Sequence, residues 1–303
     1  MFQGRQLWFL FLLLIMGVAW GLEFSALKLA VRGGHDEFTV LMITLVLISI
    51  SYFVILLIRR SLFRFTKDIW VFLAITAMLG YLIPLVCILY AAPYLPAGIM
   101  TLIVSLTPVV TVSVALLLRT ERVSASRIAA IGLGMVATLL VLIPETERPG
   151  QGVLKWMLIT SVVPICYGIE SIYVAARWPE RLDAWQVGFG EAAAAVVLLL
   201  PIYVFLGDPR SISLTWTEAE TGILLVVVSN MINIVLYFYI IQRTGGVLVS
   251  FGSFISLFAG IGWGMLIFSE RHGGAVWAAV AILVGALALV CLDTAKKEQR
   301  TSG

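Results

Sequence analysis

The chain has 303 residues, of which 61% are hydrophobic and only 12% charged. A soluble domain carries about 25% charged residues, so this chain cannot clothe a water-facing surface and belongs in a lipid bilayer. Its net charge of +3, without a basic tract interleaved with aromatics, argues against a nucleic-acid partner.

Ten apolar segments are each near the length of about 20 residues that crosses hydrocarbon. They are 7–31, 38–58, 69–91, 96–118, 127–144, 154–176, 184–206, 221–242, 246–268 and 274–293. The first is too long for the h-region of a signal peptide and is read as a retained span. It holds Trp20, Gly21 and Glu23, and a carboxyl inside a membrane helix costs about 2.5–3.5 kcal/mol on insertion scales. Such a residue is by default a functional candidate. Lys28 lies about 140° round the helix from Glu23, so it is expected to snorkel outward rather than pair with it.

The third span carries Tyr81, Pro84 and Tyr90, and the fourth carries Thr101, Ser105 and Thr107-Pro108. Glu121 follows, expected to cap a helix or pair with a neighbouring Arg. The fifth contains GLGMVATL from Gly132, read as a packing surface. The sixth repeats the phrase of the first: Tyr167-Gly168-Ile169-Glu170 echoes Trp20-Gly21-Leu22-Glu23. In each copy the aromatic and the acid are i, i+3 and share a helix face. Glu191 lies about two turns into the seventh span, where it either lines a cavity or sits at an interface. The longest connection, around 207–220, reads as an interfacial turn. In the eighth span Asn230, Asn233 and Tyr237 form one stripe. The ninth has Ser250, Ser253, Ser256, Gly260 and Gly264 as a close-packing face. It also holds Trp263, a cavity or packing aromatic. Glu270 follows it as Glu121 follows the fourth.

The three cysteines lie inside apolar runs with no Cys-x-x-Cys, so neither a disulfide framework nor a zinc site is expected. His35 and His272 fall in short loops and are read as solvated. Placing the N-terminus inside puts 14 of the 20 Lys and Arg on the inner side and 6 on the outer. Both termini are therefore expected in the cytoplasm, most naturally of a bacterial inner membrane.

The echo between spans one and six has an offset of 147. Thr120-Glu121-Arg122 and Ser269-Glu270-Arg271, and Tyr90 and Tyr239, match at 149. Two homologous halves, 1–148 and 149–303, account for this. Each has five spans, an odd number, so the second enters the membrane inverted. The charge count independently puts Glu121 inside and Glu270 outside. Inverted repeats are a common transporter build, with the site near mid-membrane.

These features resemble the EamA-type transporters of the drug/metabolite transporter superfamily. The shared marks are Trp20, Gly21, Phe24, Lys28 and Ala30 in span one and the Glu-Arg pairs after spans four and nine. The resemblance implies an all-α integral membrane protein of ten helices around a central cavity, working by alternating access without ATP. The chain departs from the family pattern at Ile43-Thr44-Leu45, where members often carry Arg, and at Glu23, where they usually carry a small polar residue.

The residue reading is of a small cationic or zwitterionic cargo. Glu23, Glu170 and Glu191 would hold a cation or a proton, and Trp20, Tyr167 and Trp263 would offer ring faces to an ammonium group. Tyr81, Asn230, Asn233 and Tyr237 would supply hydrogen bonds. A carboxyl sheltered from water can load and release a proton, so proton-driven export is expected, with no cofactor and as a monomer or homodimer. Import or uniport of a metabolite remains an alternative. A lipid-modifying membrane enzyme would need acids or histidines clustered near one interface, and a channel would not need duplicated halves.

Overall fold

The computed structural model describes residues 2–32, 36–120, 124–146, 153–208 and 216–301, and all of the regular structure among them is helical. The elements are α1 (Phe2–Arg32), α2 (Glu37–Ile58), α3 (Lys67–Thr76), a π-helical segment (Ala77–Leu82), α4 (Ile83–Ala91), α5 (Ala97–Val104), α6 (Thr107–Leu118) and α7 (Ala125–Thr146). There follow α8 (Val153–Thr160), α9 (Val162–Arg177), α10 (Ala184–Leu206), α11 (Glu218–Thr244), α12 (Gly246–Ser250), α13 (Gly252–Phe268) and α14 (Gly274–Thr301). Several helices open on side-chain caps: Asp183 and Gln186 make a reciprocal capping box on α10, and Thr217 and Glu220 do the same on α11.

Eight helical stretches among the described residues are long and apolar enough to cross a membrane. Two further apolar helices, α7 and α14, whose described apolar stretches are Ala125–Ala137 and Gly274–Ala286, pack on each other. The largest exposed side chains include Phe205, Leu117, Leu266 and Ile58. A belt of that kind is stable only against lipid. The chain is an integral membrane protein.

Four of the crossings are interrupted near their middle. The third passes through the π-helical turn before Pro84, and the fourth breaks at Ser105 before Pro108. Proline lacks an N–H and clashes with the carbonyl four residues back. Pro108 thereby strips Val104 of its helical donor, and the Thr107 hydroxyl replaces it at 2.6 Å. The sixth crossing breaks at Ser161 before Pro164, and the ninth breaks at Phe251.

Packing sets α1 against α11 and α13, α9 against α6 and the third crossing, and α2 against α10. Close approach depends on two glycines. A methyl on Gly21 would stand 2.6 Å from both the Ala259 side chain and the Ser256 carbonyl of α13. A methyl on Gly168 would stand 2.6 Å from Val110 and 3.0 Å from the Thr111 amide of α6.

His35, Glu121, Arg122, Arg148 and Arg210, and the connection at 209–215, lie outside the described residues. In α7 Gly134 packs on the Phe254 ring, whereas Gly132 faces open space, so only part of that phrase is a packing surface.

Candidate functional site

Trp20 and Tyr167, the aromatics of the repeated phrase, meet inside the bundle. Their ring centroids are 5.4 Å apart at 71°, an edge-to-face contact. One helical turn on, Glu23 of α1 and Glu170 of α9 are 6% and 4% exposed. Both acids and both rings line one cavity with about 510 Å³ of empty space, its open mouth included.

The opposite wall is α11. Asn230 donates from Nδ2 to Glu23 Oε1 at 3.3 Å. Its amide oxygen accepts from the Tyr81 hydroxyl at 2.6 Å. Tyr81 thus fixes which end of the Asn230 amide faces the acid. Asn233 and Tyr237 continue the α11 wall. The Asn233 amide oxygen and the Tyr237 hydroxyl are buried without a hydrogen-bond partner. Polar atoms left open on a cavity wall are groups a solute can satisfy.

The sequence-derived candidates therefore divide. Trp20, Glu23, Tyr167, Glu170, Asn230, Asn233 and Tyr237 line the cavity. Tyr81 stands one hydrogen bond behind it. Glu191 is fully buried on α10 and reaches the cavity wall at Gly80: a methyl there would be 2.6 Å from its Oε1. Trp263 lies apart from the others. Its indole N–H donates to the Val18 carbonyl at 3.3 Å, fastening α13 to α1 away from the cavity.

Some lining residues carried no functional signal in the sequence. Thr107 and Ser250 both line the cavity beside the breaks in their helices, although small polar residues of this kind in a span read as helix-packing positions. Gly80 offers only the absence of a side chain. Ser171 bonds the Gly168 carbonyl at 3.0 Å and lies 3.2 Å from the Thr111 hydroxyl; its neighbour Glu170 was the visible mark.

Two expectations are corrected by a second polar cluster. Lys28 does not snorkel outward: its Nζ lies 2.7 Å from Glu270 Oε1, with the two side chains 14% and 12% exposed. Glu270 also accepts the Ala97 amide at the start of α5 at 3.2 Å. It therefore does cap a helix, though its cation is Lys28 rather than an Arg. His272 is not a solvated loop residue, being 7% exposed in its side chain and 4.0 Å from Glu270. Folding brings the 97–98 turn over it, and Gly98 leaves the space that its ring fills.

No Lys, Arg or His lines the cavity. Among the described residues no group of three or more His, Cys, Asp or Glu could hold a metal ion. The arrangement is a small pocket, open on one side, of carboxyls, amides, hydroxyls and two ring faces.

Comparison with known proteins places this geometry. The model of the EamA-like transporter family matches residues 7–143. A solved crystal structure of a protein 18% identical in sequence aligns over 91% of this chain and 97% of that one with a TM-score of 0.67. At that identity it is the fold that is alike. No curated protein matches the chain in sequence.

Proposed function

We propose that the chain is a membrane transporter of the EamA-like family, whose model matches residues 7–143, in the drug/metabolite transporter superfamily, and that it exchanges a small organic cation or zwitterion for protons. Members of this family are transporters and not enzymes. The observation that carries the reading is the cavity wall: two carboxyls and two ring faces, with no cationic side chain.

An ammonium group entering the cavity meets Glu23, held by Asn230, and the Trp20 and Tyr167 rings. A cation of that kind gains from both carboxylate and π-face contacts. A metabolite anion would face two carboxyls with no cationic side chain on the wall to offset them. Binding of the cation displaces a proton from the acid to water, and a proton returns to reset the empty carrier. Outward movement of cargo against an inward proton gradient follows from that exchange.

The reading includes ten crossings in two inverted halves, residues 1–148 and 149–303, with both termini in the cytoplasm and the chain in a bacterial inner membrane. Support comes from matched contacts. Gly21 packs on α13 as Gly168 packs on α6. Trp20 touches Tyr167, its partner at offset 147, and Tyr81 bonds Asn230, its partner at offset 149. Halves that rock about such an axis expose one cavity to each side in turn.

The test is flux in proteoliposomes under an imposed pH gradient, using the amine or quaternary ammonium compound that most raises the melting temperature of the pure protein. Glu23→Gln removes a charge-assisted hydrogen bond worth about 1.5–3 kcal/mol, so gradient-driven flux should fall about tenfold or more. Full proton-coupled flux by that variant would remove the mechanism.

A further inference from the structure

Glu191 has no role in an exchange carried by Glu23 alone. It is 0% exposed, and neither of its carboxyl oxygens has a hydrogen-bond partner. A buried carboxyl without partners is costly, so its surroundings hold the explanation. A methyl placed on Gly80 would stand 2.6 Å from Glu191 Oε1 and 3.3 Å from both the carboxyl carbon and Oε1 of Glu170. Acids from α10 and α9 thus converge on the one residue of the π-helical turn that has no side chain. Asn233, 6% exposed and lining the same cavity, leaves its amide oxygen unpartnered there as well.

We propose that Glu170 and Glu191 form one site holding a single proton between them, separate from the Glu23–Asn230–Tyr81 chain that receives the cargo. Two ionised carboxylates brought together away from bulk water repel, and a second proton would add an O–H donor that the pair does not need. One proton serves both: the protonated acid donates its O–H toward the other, which stays a carboxylate. Taking up that proton from water forms one O–H bond, and releasing it breaks the same bond. Gly80 is the residue that permits the approach. The titratable groups facing the pair are the phenols of Tyr52 on α2, Tyr81, Tyr167 on α9 and Tyr237 on α11, the Cys166 thiol, and the carboxyl of Glu23. No cationic side chain lines the cavity to neutralise either acid. The pair's place in transport rests on the cation-exchange reading above, but the pairing itself does not.

The experiment is an infrared pH titration of the carboxylic-acid stretch of the purified full chain in lipid nanodiscs, with no cargo present. Sites that share a proton titrate as a pair, coupled by more than about one pH unit. Glu191→Gln should move the midpoint of the Glu170 band by at least that much. Glu170→Gln should move the Glu191 band equally, because coupling is reciprocal, so either variant alone reads the pair. Glu23→Gln should leave both midpoints within that limit. Midpoints that stay put when the other acid is replaced would overturn the proposal. So would loss of the acid band on adding sodium at fixed pH, which would make the site one for a metal cation. Because no cargo is used, an uncoupled titration beside normal cation-driven flux sinks the pair alone. A coupled titration without flux sinks the transport reading alone.

Discussion

Asn230 does at the scale of one side chain what no feature of its own helix dictates. Its two ends face different partners, Tyr81 and Glu23, on two other helices. Replacing Tyr81 by Phe removes the donor that fixes the amide, a loss of about 0.5–1.5 kcal/mol. The expected outcome is cation binding weakened a few-fold with the fold intact, read by isothermal titration. The sequence made these residues legible as a polar stripe, because i, i+3 spacing is written locally. Their bonds were not legible, since 149 residues separate Tyr81 from Asn230. Lys28 shows the same limit: its helix gave no acid on its face, and the partner stood 242 positions away. The Lys28–Glu270 pair is largely buried, and removing one member of such a pair costs about 3–5 kcal/mol because the other is left uncompensated. Lys28→Met should therefore lower the melting temperature clearly, and adding Glu270→Gln should recover most of the loss. A double variant as unstable as the sum of the singles would show that the two do not act as a pair.

Helices in this protein are defined by where they stop as much as by where they run. Pro84, Pro108 and Pro164 announce three of the four interruptions, but the ninth crossing breaks at Phe251 with no proline to mark it. The sequence reading drew each as one unbroken span because hydropathy does not register a kink. Those kinks matter to function, since Gly80, Thr107 and Ser250 line the cavity at or beside them. The glycine contacts between helices carry a prediction of their own. At Gly21 the obstruction is backbone, the Ser256 carbonyl and Gly260 amide, which cannot move aside. Gly21→Val should separate α1 from α13 and destabilise the protein by about 1–3 kcal/mol or more. Gly132→Ala, with nothing within 4 Å of the added methyl, should leave the melting temperature unchanged or raise it slightly, since Ala favours a helix over Gly. A loss at Gly132→Ala as large as that at Gly21→Val would mean that contact with α13 does not set the effect.

At the scale of the whole molecule, the proposed duplication rests on a Glu in a membrane helix, rare enough that its repetition is noticed. Membrane residence followed from composition, and the family from the same phrases. The fifth and tenth apolar runs read as spans in the sequence, and α7 and α14, which carry them, pack on each other. Inversion predicts opposite sidedness for two equivalent loops. With Cys87, Cys166 and Cys291 replaced, a membrane-impermeant maleimide should label Arg271→Cys in intact cells and Arg122→Cys only after the membrane is opened. Labelling of both from one side would mean that the halves run parallel.

The most direct measurement of the central claim is the melting temperature of the pure protein against a panel of amines, quaternary ammonium compounds, amino acids and organic anions. A ligand of the folded state raises it by mass action, about 2.7 kcal/mol at a hundredfold excess over Kd. The account predicts that cations or zwitterions stabilise the protein, that anions do not, and that Glu23→Gln abolishes the effect. Stabilisation by anions alone, or a cation shift that survives Glu23→Gln, would contradict it.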